Sequence, residues 1–138
     1  MTRLLFLLPL LALAACDSAS GGNTYDLSLY SGEGERVARI TFERPVGDPC
    51  DAIGCGSGEA EWKATDVESG FRLSQRRGTL YAQETGFGAY RLTLTPEIAD
   101  DGIRIEIEED PRGAVTGRWS YSTLSGEVAG GAVRGTLG

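Results

Sequence analysis

The sequence predicts an all-β domain: an antiparallel meander of eight or nine short strands closed into a small barrel, with a two-sheet sandwich as the alternative. Three observations predict it. Apolar residues recur with period two along nearly all of the chain after residue 23, and almost nowhere with the 3.6 period of a helix. Glycine-rich turn signals fall between the alternating runs at close intervals. The face opposite each apolar one carries charge, as in antiparallel strands that cover a core on one side only.

The elements follow in chain order. Tyr25, Leu27 and Leu29 alternate with Asp26, Ser28 and Tyr30, and "SGEGE" then turns the chain. Ala38, Ile40 and Phe42 form the next inward set, and Ala60, Trp62 and Ala64 the third. Phe71/Leu73 read as a short strand before the turn "QRRG", and Leu80/Ala82 as the strand after it. "ETGFG" separates that strand from Tyr90, Leu92 and Leu94. Thr95-Pro96-Glu97 is expected to start one helical turn, and "DDG" leads into Ile103, Ile105 and Ile107. "EDPRG" turns the chain again before Trp119/Tyr121 and a final segment from Val128 to Leu137. Within that segment Gly130-Gly131 suits a two-residue hairpin, because both positions accept positive φ. Glycines 117, 126, 130, 131 and 135 would let the last strands bend. Ser-Gly-Glu recurs from Ser31, Ser57 and Ser125 at unequal spacings, which reads as shared turn chemistry and not as an internal repeat. A meander of this kind best removes its edges by closing on itself. It is not a membrane-spanning barrel: the polar face, with Glu59, Glu61, Lys63, Arg104, Glu106 and Glu108, is too charged for hydrocarbon.

The chain before residue 24 has a different character. One positive charge, Arg3, precedes an apolar run from Leu4 to Ala14. As a helix this run spans about 16 Å, roughly half a hydrocarbon core, and Pro9 interrupts it. That is a poor membrane anchor but a good secretory signal. Its ending, Leu13-Ala14-Ala15-Cys16, resembles the lipobox of bacterial lipoproteins: an aliphatic residue, two small residues, then cysteine. The resemblance implies cleavage after residue 15, thioether lipidation of Cys16 and acylation of the new amino terminus, hence a membrane anchor. Asp17 resembles the signal that retains lipoproteins in the inner membrane of enteric bacteria; inner and outer membrane both stay open. Residues 1–15 thus read as a signal peptide, 16–23 as the lipidated cysteine and a tether of roughly 14 Å typical reach, and 24–138 as one all-β domain.

Cleavage would leave 123 residues, twenty carboxylates and twelve cations, a net charge of −8. That length suits one core, and the charge excludes nucleic acid and anionic lipid as natural ligands. With Cys16 lipidated, Cys50 and Cys55 remain in "GDPCDAIGCGSG", outside the cytoplasm, where disulfides persist. A bridge between them would contribute on the order of 2 kcal/mol by loop entropy. A metal site using Cys50, Cys55, Asp48 and Asp51 is the rival reading. Zinc favours cysteine and histidine at four corners, and the chain has no histidine. No metal and no cofactor is therefore expected.

The missing histidine also removes the usual general base and any Ser-His or Cys-His pair. Lys63, the only lysine, reads as a solvated strand residue. Glu106 and Glu108 stand about 7 Å apart on one strand face, a spacing a glycosidase can use only if one carboxyl has a raised pKa. The acidic run Glu106, Glu108, Glu109, Asp110 with Asp100-Asp101 lacks the spacing of a calcium loop and reads as a solvated tip. Arg72, Arg76 and Arg77 form a basic tip that an anionic partner could meet, but it reads first as a solvated turn. Trp62 and Trp119 point inward, as core or as the lining of a cup; a barrel of about eight strands is filled by its own side chains. The loop Pro45 to Gly58 is the longest irregular stretch, the kind of segment that carries function. The expected function is non-catalytic: an envelope lipoprotein that binds a partner protein or serves envelope maintenance, similar in outline to small lipid-anchored inhibitors of lysozymes or proteases. A carrier of a small apolar ligand is the second reading and a carboxylate glycosidase the third.

Overall fold

A computed structural model describes residues 23–45, 58–71, 73, 75–94 and 102–138. Eight strands run in chain order: β1 (Thr24–Tyr30), β2 (Arg36–Glu43), β3 (Gly58–Thr65), β4 (Arg77–Gly86), β5 (Ala89–Leu94), β6 (Gly102–Glu109), β7 (Ala114–Thr123) and β8 (Gly126–Leu137). Each pairs antiparallel with the next, and β8 returns to pair with β1, so the meander closes into a barrel. Closure excludes the sandwich.

Alternation is what makes these segments strands. Tyr25, Leu27 and Leu29 on β1, Ala38, Ile40 and Phe42 on β2, and Ile103, Ile105 and Ile107 on β6 are all buried. Trp62, Ala64, Leu80, Ala82, Leu92, Leu94, Val115, Trp119, Tyr121 and Val133 complete the interior. Burying one Leu or Ile side chain contributes roughly 1.5–3 kcal/mol, so a one-residue slip in any strand would turn its whole apolar set to water.

Turn chemistry closes the hairpins. Between β1 and β2 the Ser31 hydroxyl accepts from the Glu33 and Glu35 amides, and Gly34 takes φ 88°. Between β6 and β7 the Asp110 carboxylate accepts from the amides of Arg112 and Ala114 at 2.8 and 2.9 Å. Between β7 and β8 the turn is Leu124-Ser125, and Gly126 takes φ 112°.

Three sequence expectations are corrected. Phe71 and Leu73 do not form a strand. Their segment leaves β3 at Asp66, where φ is 51°, and folds over one end of the barrel with Val67, Phe71 and Leu73 packed on the core. Phe71 meets the Trp119 ring edge-on at 5.2 Å. Alternation there reflects a cap that dips inward twice.

Gly130-Gly131 is not a hairpin either; both residues lie inside β8. A Cβ on Gly131 would overlap the Tyr30 carbonyl oxygen, so its glycine serves close approach of β1 and not a turn. Val128 and Ala129, at the start of the expected final segment, are exposed. Finally, Arg77 and Gly78 of the expected turn "QRRG" belong to β4, where Gly78 faces Trp62 across the ladder and leaves room for the indole. Thr95-Pro96-Glu97 and Asp100-Asp101 lie outside the described residues.

An even number of strands brings the two termini to one end of the barrel. Thr24 and Gly138 exchange backbone hydrogen bonds at 3.1 and 3.0 Å, and the Arg44 amide donates to the Asn23 carbonyl. The β4–β5 and β6–β7 turns open at this same end, while the β1–β2 turn, the cap and the β7–β8 turn occupy the other.

Candidate functional site

The terminal end is sealed by a polar cluster. Tyr25 on β1 stacks on Phe42 at 4.9 Å and sends its hydroxyl out of the core. That hydroxyl donates to Glu109 Oε2 at 2.9 Å and accepts from Arg44, whose guanidinium also pairs with Glu109. Burial is the main reason the Tyr25 phenol is pushed well above its ordinary range, although Arg44 pulls it down. Tyr90, edge-on to Tyr25, is raised by burial as well. Glu109, read from sequence as part of a solvated acidic tip, is thus a structural partner that plugs the barrel. Asp110, from the same run, caps its own turn.

The outer wall carries a second charged group. Arg91 on β5, Glu106 on β6 and Arg118 on β7 stand side by side across the ladder. Arg118 Nε donates to Glu106 Oε2 at 2.7 Å, and Arg91 Nε to Oε1 at 3.3 Å. Arg118 first and Arg91 second hold the Glu106 carboxyl below the usual range. A glycosidase acid needs the opposite shift, so this geometry gives Glu106 no help in that role. Glu108 is exposed on the same face. Two open grooves, of about 620 and 500 Å³, meet over Glu106 and Arg118 on the outside of the barrel.

Both tryptophans lie inside. The Trp119 indole donates to the Tyr30 carbonyl at 2.8 Å, whereas Trp62 Nε1 is buried beside Gly78 with no hydrogen-bond partner among the described residues. They stand among Leu27, Ile40, Leu80 and Ile105, all fully buried in the same core cluster. Lys63 sits on the exposed face opposite Arg77. Of the basic tip, Arg76 accepts from the Ala64 amide through its carbonyl, and Arg72 lies outside the described residues. So do Cys16, Cys50, Cys55, Asp48, Asp51 and nearly all of the Pro45–Gly58 loop.

The end away from the termini holds a feature that sequence reasoning missed. β1 covers β8 only from Leu137 to Val133, so among the described residues Gly126 to Gly130 pair with β7 alone, which leaves their other edge unpaired there. Their register shifts near Val128, which is 59 % exposed, and Leu124 at the adjoining turn is 86 % exposed. The hairpin tip therefore presents two bare aliphatic side chains beside an unpaired strand edge, with Glu127 between them. The signal was present as the Ser-Gly-Glu turn at Ser125, but the glycine pair at 130 drew the turn to the wrong place.

The fold and these surfaces define a small closed antiparallel barrel with a buried apolar core and two unlike ends. Comparison with protein-family models, with curated proteins and with solved structures gave no match.

Proposed function

We propose that this chain is a lipoprotein of a bacterial envelope, anchored through lipid on Cys16, facing the periplasm, with Cys50 and Cys55 bridged. It acts by binding a partner protein, without catalysis. The observation that supports binding is the β7–β8 hairpin tip, where Leu124 and Val128 stand exposed beside an unpaired edge at the end opposite Asn23. A free edge can accept an extended segment of another chain as an added strand, and exposed aliphatics beside it would supply the apolar part of such a contact. An anchor at the opposite end would point this tip away from the membrane, where partners are met. The indoles packed in the core favour recognition over carriage of a ligand.

The test is site-specific photo-crosslinking in living cells with the probe at 124 or 128. A discrete adduct is expected at both positions, lost from a probe at 124 on Val128→Asp and from a probe at 128 on Leu124→Asp, while the far-ultraviolet spectrum stays β. No adduct, or the same adduct from position 39 on the outer wall, would overturn the reading.

A further inference from the structure

Among the described residues, the barrel end that carries the termini holds one large apolar side chain in water. Phe87 is 90 % exposed between Gly86 and Gly88 at the β4–β5 turn. Its position is fixed by the barrel: the Glu109 amide donates to the Gly88 carbonyl at 2.7 Å, and Glu109 is itself held by Tyr25 and Arg44. Exposed Pro111 stands at the tip of the β6–β7 turn at the same end.

We propose that this end docks on the bilayer, with Phe87 inserted among the lipid headgroups. The inference rests on lipidation of Cys16. Six residues separate Cys16 from Asn23, seven Cα-to-Cα steps; fully extended these reach about 25 Å, and typically about 14 Å. Asn23 emerges at the Phe87 end, and the typical reach is shorter than the barrel, so at that reach the tether holds the Phe87 end, and not the Leu124 end, against the surface. Leu124 stands roughly 20 Å further off, the length of β1 at about 3.3 Å per residue.

A lone aromatic would not recruit the domain from solution. Once a lipid anchor supplies the local concentration, the same side chain selects one orientation among many. The charges name the surface. Glu43, Glu108 and Asp110 are exposed at this end against the exposed Arg112 of the β6–β7 turn, and Arg44 is engaged with Glu109. An anionic bilayer would repel this acidic excess, so the matching surface is zwitterionic.

The experiment uses the mature protein purified from membranes, its acylation at residue 16 verified by mass. Phe87→Trp and Leu124→Trp variants are reconstituted in phosphatidylcholine vesicles with brominated acyl chains, the wild type giving the background from buried Trp62 and Trp119. Quenching at least threefold greater at position 87 than at 124 is expected. Equal quenching at both, or none at 87, in an acylated protein overturns the docked orientation and leaves the anchor standing. A chain without lipid on residue 16 overturns both.

Discussion

At the scale of single residues, the two tryptophans show how alike positions diverge. Both alternate with polar neighbours, and both are buried to within a few per cent. Trp119 gives its indole hydrogen to Tyr30, whose carbonyl fills the space that a Cβ on Gly131 would need. Trp62 gives its hydrogen to no described group. Trp119→Phe removes a part-buried hydrogen bond to the Tyr30 carbonyl, whereas Trp62→Phe removes a polar group that pairs with no described residue. Urea unfolding should therefore show Trp119→Phe to be more destabilising by at least about 1 kcal/mol. Gly131→Ala should cost about 1–3 kcal/mol by overpacking, and less in a Trp119→Phe background, because the two changes disturb one contact. Equal losses for the two tryptophans would show that the Tyr30 bond contributes nothing.

At the scale of elements, β5, β6 and β7 are tied outside by Arg91, Glu106 and Arg118 as well as by their ladders. The Glu106 carboxyl is lowered on folding, so its contribution is present above the unfolded carboxylate range and is lost as pH falls through the lower, folded value. Asp26, held down by Arg39 across β1 and β2, behaves in the same sense. Both groups are partly exposed, so solvent screening keeps each pair weak. Thermal melts from pH 7 to pH 3 should fall mainly below pH ~4.5, and Glu106→Gln should flatten part of that fall; an unchanged slope would remove the ladder from the account. The strands themselves were legible because each has a wet and a dry face. The cap was not, since Phe71 and Leu73 alternate for a reason unrelated to pairing. Nor was the role of Gly130-Gly131, since two glycines that admit a neighbouring backbone read the same as two that turn a chain.

At the scale of the whole molecule, the count of strands decides which surfaces share an end. Eight strands return Gly138 to Thr24 and place Phe87 at the same end. A ninth strand at Phe71/Leu73 would have sent Phe87 to the opposite end. Closure was thus legible from composition and period, but the polarity of the barrel waited on one misread segment. Closure also distributes stability unevenly. β6 pairs with β7 along its entire length, from Gly102 to Glu109, whereas β2 meets β3 only from Arg39 to Phe42 against Thr65 to Trp62. The β1–β8 seam is intermediate, from Tyr25 to Leu29. A barrel opens where the fewest ladder bonds hold it. Native-state hydrogen exchange should find the β2–β3 amides opening sub-globally, at a lower free energy than those of β6 and β7. The β1–β8 amides should exchange later than the β2–β3 set. Earlier exchange at β1–β8 would mean that joining the chain ends is the weaker closure, and that the terminal hydrogen bonds between Thr24 and Gly138 do not hold the barrel shut.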